Sequence, residues 1–342
     1  LELGLRATGH VPTNITEGIF EQSENSYRLK KNMTKIIHAP SYTYRVHTNS
    51  WGFRDSITGR RELAGKSFFV FLGESLTFGN GVDYERSFVG IFARKAKDHH
   101  IEVLNMAVGG HHFREQFNIL VDFIESTLLE PTKVIVCFSP MFISNFDADH
   151  KNIIVKNGYL FQRRNWFVPY LKVTFSNTLA SYCFFRDGIR QFQAKLSRHT
   201  PANVHRIFSL YHKSSNRFST PGDIERLEAT LDELESYVWA LSATPVYVYL
   251  PLSTDFIIEE IIEKSGGNPK EYDAFIYLNI LKEHCKKKMI QLIDATPVLR
   301  QHYEKGKRLS FSMDAHYAES ANEIIGECIY QNIFFPDSGS TF

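Results

Sequence analysis

The sequence predicts an α/β protein built on a doubly wound parallel sheet, because short apolar runs alternate with stretches of helical spacing. The first run, Ser67-Phe68-Phe69-Val70-Phe71-Leu72, is ended by Gly73 and reads as a buried strand. Ile101 to Asn105, closed by Gly109-Gly110, gives a second, and Lys133 to Phe138, closed by Pro140, a third. Pro245 to Leu250 before Pro251 and Met289 to Ile293 before Asp294 complete the set. Between them, Ser87 to Ala96, Glu115 to Leu129 and Tyr272 to Lys287 carry helix spacing. The clearest helix holds Ile224, Leu227, Leu231, Leu234, Val238 and Leu241 on one face, with Gly222 and Asp223 after Pro221 marking its start. Such sheets carry their chemistry on loops at the carboxyl ends of the strands.

Two regions depart from this rhythm. Residues 1–60 are polar and aromatic, with Tyr27, Tyr42, Tyr44 and Trp51 scattered without helical period, and read as an extended arm packed on a domain spanning 61–342. Residues 147–220 hold aromatics such as Tyr159, Trp166, Phe167 and Phe175 interleaved with Lys and Arg. They read as an insertion after the third strand, either a lid or acyl-binding wall over the site or a helical excursion with its own small core.

Composition narrows the function. The 342 residues are 43% hydrophobic and 23% charged, ordinary for a globular chain, which excludes disordered and collagen-like classes. With 39 basic and 38 acidic residues the formal charge is +1, so no global field draws nucleic acid or an anionic membrane, and any polyanion binding has to be local. Cys137, Cys183, Cys285 and Cys328 form no C-x-x-C pair and read as structural thiols. No apolar run reaches the ~18 residues of a membrane span. Residue 1 is Leu, from which a processed start is expected, with a signal or anchor ahead of it, membrane association through that missing segment and an extracytoplasmic placement.

The motifs point to a nucleophilic serine. Gly73-Glu74-Ser75-Leu76-Thr77-Phe78-Gly79 follows the first strand directly, a position where a tight turn exposes a hydroxyl above a helix amino terminus. Gly110 follows the second strand, where a residue without Cβ lets backbone approach a ligand closely. Ser312-Met313-Asp314-Ala315-His316 precedes a helix read over Ser320 to Tyr330, and places a carboxylate two residues before a histidine that can take the serine proton. His99-His100 and His111-His112 lack metal-ligand spacing. Neither a phosphate loop nor a dinucleotide fingerprint is present, so no cofactor or metal is expected.

These residues resemble the conserved blocks of the SGNH (GDSL) hydrolase family. Glu74 stands where the family has Asp, and Asp-x-His resembles a bacterial branch of the family. Thr48-Asn49-Ser50-Trp51-Gly52-Phe53-Arg54-Asp55 is similar to an Asn-Ser-x-Gly-Phe-Arg segment of that branch. The resemblance covers about residues 45–145 and 245–330 and implies a flavodoxin-like sheet. It also implies a triad of Ser75, Asp314 and His316 and an oxyanion hole from the N–H groups of Ser75 and Gly110. The family places an Asn just past the third strand as a further oxyanion donor, and Asn145 is the Asn within reach, a few residues late. The implied function is a serine esterase or O-acyltransferase on a small-molecule, glycan or lipid ester. The alternative is a catalytically weak or inactive glycan- or lipid-binding protein of the same fold.

Overall fold

The computed structural model describes residues 1–8, 12, 18–24, 26–57, 59–148, 150–186, 189, 209–311 and 314–336. In chain order the strands are β1 (Phe20–Gln22), β2 (Tyr27–Leu29), β3 (Thr34–His38), β4 (Thr43–His47), β5 (Phe68–Leu72), β6 (Glu102–Asn105), β7 (Lys133–Phe138), β8 (Ile153–Lys156), β9 (Tyr159–Gln162), β10 (Thr244–Tyr249) and β11 (Gln291–Asp294). Five of them form one sheet in the order β11-β10-β7-β5-β6, parallel throughout. The fold is therefore the doubly wound α/β sheet expected from the alternating pattern. The order reverses between β5 and β7, and ligands in such sheets bind in the crevice beyond the carboxyl ends of the strands at that reversal.

Both faces of the sheet are buried, which is why its strands are continuous apolar runs. Phe68, Val70 and Leu72 join Tyr247 and Tyr249 in one core, while Phe69 and Phe71 join Val246 and Val248 in the other. The helices Phe113–Thr127, Pro221–Ala240 and Ile276–Lys288 supply the first core, and Phe88–Ala96 and Glu319–Phe334 the second. Gly326 permits the last pair to approach closely, since a Cβ there would fall 2.9 Å from Ile91. Ile276–Lys288 begins later than the spacing suggests, because Asp273 Oδ1 accepts the Phe275 N–H at 2.9 Å and Tyr272 bridges to His212. The four cysteines are buried and joined by no disulfide.

The amino-terminal arm is not a single extended strap. It folds into two antiparallel hairpins, β1–β2 and β3–β4, and a short helix, Glu2–Ala7, in which Glu2 pairs with Arg6 one turn on. Ile19, Phe20, Tyr27, Leu29, Tyr44 and Val46 form a third cluster with Phe78, Ala107 and Val108. The arm thus packs on the loops that follow β5 and β6.

The segment after β7 also has more regularity than its sequence suggested. Asn157 (φ 51°) and Gly158 (φ 86°) make the two-residue turn of the antiparallel hairpin β8–β9, a turn that needs positive φ at both positions. The helix Phe167–Thr178 follows. The remainder of the expected insertion falls partly outside the described residues. No helix among the described residues is long and apolar enough to cross a membrane.

Candidate active site

β5 delivers the chain to Gly73, where a Cβ would lie 2.3 Å from the Thr77 hydroxyl and 3.2 Å from the Cys137 carbonyl, so only glycine fits at this turn. Ser75 opens the helix Ser75–Phe78 and is half-buried, with Leu76, Thr77 and Phe78 buried behind it. The helix stops at Gly79, in the left-handed region at φ 84°.

Arg54 closes that end. Its Nη1 donates to the carbonyls of Phe78 and Gly79 at 2.7 Å each, and Nη2 donates to Val82 O at 2.5 Å and Arg45 O at 3.0 Å. A cation placed on orphan carbonyls at a helix end satisfies both their hydrogen bonding and the dipole. The side chain is fully buried and lies 4.9 Å from the Phe78 ring centroid. Asn49 Oδ1 accepts the N–H groups of Trp51 and Phe53, which folds the segment that presents Arg54. Next to it, the Asp55 carboxyl, pushed up to about 7 by burial, accepts the Asn105 N–H at 2.8 Å. The upstream segment is thus the floor of the Ser75 turn.

The histidine loop is tied down from several directions. Tyr317 Oη donates to Pro251 O at 2.5 Å, and Asn322 Oδ1 accepts the Phe88 N–H at 3.0 Å. His316 Nδ1 lies 2.5 Å from Asp314 Oδ1, whose other oxygen accepts from Tyr42 Oη at 2.7 Å. Burial alone would raise the Asp314 pKa, but the His316 and Tyr42 hydrogen bonds and the charge of His316 hold it down at about 2. The Asn80 amide lies 3.5 Å from His316 Nε2 and can only donate there. The assignment consistent with both contacts has the ring proton on Nδ1 facing Asp314 and the lone pair on Nε2, the tautomer a general base needs.

Ser75 and Asn80 both lie beside Gly109. A Cβ on Gly109 would lie 3.8 Å from Ser75 Cβ and 3.9 Å from both amide atoms of Asn80. Gly110 has φ 81°, and a Cβ there would come 2.7 Å from Tyr27 Oη, so arm and glycine loop fit only without a side chain. Glu74 is hydrogen-bonded by the Ser139 hydroxyl, bridging the exits of β5 and β7. Burial raises its pKa against that bond and the nearby His316.

The Asn145 amide is engaged locally. Ser139 caps a short helix, Pro140–Ser144, and Asn145 follows it with its amide donating to Met141 O at 2.7 Å and Ser144 Oγ at 3.1 Å. In this arrangement its donors are engaged within its own turn. Ser312 and Met313 lie outside the described residues.

Beneath the glycine loop runs a second polar chain. The Gly73 N–H donates to Gln116 Oε1 at 3.0 Å, Gln116 Nε2 faces His111 Nδ1 at 3.2 Å, and His111 Nε2 faces Tyr27 O at 2.8 Å. Burial pushes the His111 pKa down to about 4, so the ring is neutral above that pH and serves there as a strut. Away from the site, Asp232, Glu235 and His284 bring ligand-type atoms within 4.8 Å of one another. Glu235 Oε1 there already accepts from Tyr247 Oη at 2.6 Å and faces His284 Nε2 at 2.7 Å, while Lys288 Nζ pairs with Asp232 at 2.7 Å. The network is paired only in part, since Glu235 Oε2 and His284 Nδ1 are buried without a hydrogen-bond partner among the described residues.

Tyr42 and Asn80 escaped the sequence reading. Tyr42 lies in the arm, far from Asp314 along the chain. Asn80 followed the recognised glycine motif by one residue, and its position was the only signal.

No protein-family model and no curated protein matches the chain. Solved structures do. A catalytic mutant of an acetylxylan esterase from Geobacillus stearothermophilus is 12% identical, with a TM-score of 0.44, covering 79% of this chain and 95% of its own. A lipolytic protein of the G-D-S-L family from Desulfitobacterium hafniense is 14% identical at 0.40, covering 78% and 98%. A psychrotrophic esterase from Pseudoalteromonas is 13% identical at 0.40, covering 78% and 96%. Likeness at this level says nothing of chemistry, which rests on the residues of the site.

Proposed function

We propose that the chain is a serine esterase or O-acyltransferase that forms an acyl-enzyme at Ser75. The Ser75 hydroxyl attacks an ester carbonyl while its proton passes to His316 Nε2, and Asp314 steadies the imidazolium. The N–H groups of Ser75 and Gly110 receive the oxyanion. As the C–O bond to the leaving alcohol breaks, His316 returns the proton to that oxygen. Water, or a hydroxyl of a glycan or lipid acceptor, then attacks the acyl-enzyme with His316 again as base, and Ser75 leaves with the proton.

The observation that carries this reading is the fixing of His316 Nδ1 on Asp314 at 2.5 Å, which turns Nε2 toward the Asn80 amide at 3.5 Å, a donor that has to give way to the Ser75 hydroxyl for the proton to pass. Asn145 joins the oxyanion hole only if its amide leaves Met141 O and Ser144 Oγ. One donor of this kind is worth ~10² to 10³ in rate.

The test is hydrolysis of p-nitrophenyl acetate by the wild type and by Ser75→Ala and His316→Ala. Turnover by the wild type that falls to background in both folded variants is expected. The engaged Asn145 amide favours a second reading, a non-catalytic glycan- or lipid-binding protein. Equal rates for wild type and Ser75→Ala would decide for that one.

A further inference from the structure

We infer that the segment following β9 is a contact surface for an anionic lipid membrane. The helix Phe167–Thr178 buries Ser176, which accepts from Arg186 Nη1 at 2.9 Å, and leaves Phe167, Val168, Leu171 and Phe175 exposed on one face. Phe184 and Phe185 continue the surface, and Phe167 and Phe185 are 58% and 55% exposed. Contiguous exposed apolar surface of this kind marks a site of contact with a partner or membrane.

The amino-terminal helix adds to the patch. Arg6 Nη2 donates to Thr178 O at 2.5 Å, and the Glu2 carboxylate accepts from the Ala180 and Ser181 N–H groups at 3.0 and 2.8 Å. Leu1 and Leu3, also exposed, are carried on this docked helix.

Charge identifies the occupant. Residues 150–186 contain Lys151, Lys156, Arg163, Arg164, Lys172 and Arg186 and no Asp or Glu, in a chain whose formal charge is only +1. Trp166 and Tyr170 lie at the base of the helix with the Lys156 ammonium 5.2 Å from the Trp166 ring centroid, an aromatic-cation arrangement suited to a headgroup region. Exposed apolar residues beside an excess of Lys and Arg fit a layer whose hydrocarbon lies under anionic headgroups. A second copy would match the apolar residues but set like charge against like. A nucleic acid would match the charge but leave Val168 and Leu171 unused.

The experiment is co-sedimentation of the full chain with phosphatidylcholine vesicles, with or without phosphatidylglycerol at a ratio of about 7:3. Pelleting with the anionic vesicles about tenfold above the neutral ones is expected, with reversal in about 0.5 M NaCl. Phe167→Ser with Phe175→Ser lowers it about tenfold, and Arg163→Glu with Arg164→Glu abolishes the preference for anionic vesicles. Thermal melts confirm folding, and if the Phe pair unfolds, the exposed Arg pair decides. Equal pelleting on both vesicles, or binding that survives both double variants, overturns the inference. So does a dimer, or binding of a single-stranded RNA probe, that the variants abolish while vesicles stay bare. Vesicle binding is read without turnover, so its outcome is separate from that of the esterase reading.

Discussion

Tyr42 Oη donates to Asp314 Oδ2 at 2.7 Å, joining the β3–β4 hairpin of the arm to the carboxylate that orients His316. In the proposed esterase Tyr42 is therefore a positioning residue. A hydrogen bond to a charged group contributes about 1.5–3 kcal/mol, and Tyr42→Phe removes this one from an acid held at about 2. We expect kcat to fall about tenfold with KM little changed, and the acid limb of the pH–rate profile to move. A purely structural Tyr42 would lower the melting temperature and leave the pH profile of the folded fraction in place.

Arg54 tests the floor of the Ser75 turn. Arg54→Met keeps the bulk but orphans the carbonyls of Phe78, Gly79, Val82 and Arg45. A loss of about 3–5 kcal/mol in urea unfolding is expected, and Arg54→Lys restores only part of it, since an ammonium lacks the guanidinium fork. A loss below about 1 kcal/mol would count against the clamp.

The sheet was legible because the inner strands β5, β7 and β10 are buried almost throughout and closed by Gly or Pro, and even the edge strands β6 and β11 fall within a residue or two of their apolar runs. The arm was not, because β1 to β4 are short and half-exposed, and their pairing is decided by packing on Phe78 and Val108. The β8–β9 hairpin had a signal in Asn157-Gly158 that the aromatic run around it obscured. Asp314 beside His316 could be read locally. Tyr42 and Asn80 could not, since their contacts are made across the fold.

Glu115 governs acid stability near the glycine loop. Burial would raise its pKa, but His150, the charge of His111, the Ser26 hydroxyl and the His112 N–H bring it down to about 2 from 4.5. A depressed carboxylate contributes stability that is complete above its unfolded value and lost as pH falls through the folded one. Melting temperature should therefore drop between pH 4.5 and about 2, and Glu115→Gln should flatten that drop while lowering stability at neutral pH. A variant with the wild-type acid limb would show that Glu115 is not its source.

Glu235 is the hub of a buried network, with Tyr247 Oη and His284 Nε2 both on Oε1. Glu235→Leu leaves both donors in an apolar core, at about 1–3 kcal/mol each. Replacing the trio together, with Tyr247→Phe and His284→Leu added, should recover much of the loss by removing the orphaned donors. Calorimetry of the single and triple variants checks this; a triple variant no more stable than the single one would refute it.

The central claim is that Ser75 is an activated nucleophile served by His316. Its most direct test is labelling of the folded chain with a fluorophosphonate probe, followed by mass spectrometry of the Ser75 peptide. We predict that Ser75 takes up the probe, and that His316→Ala, still folded, takes up almost none. A folded wild-type chain left unlabelled at Ser75, or labelled equally with and without His316, would contradict it.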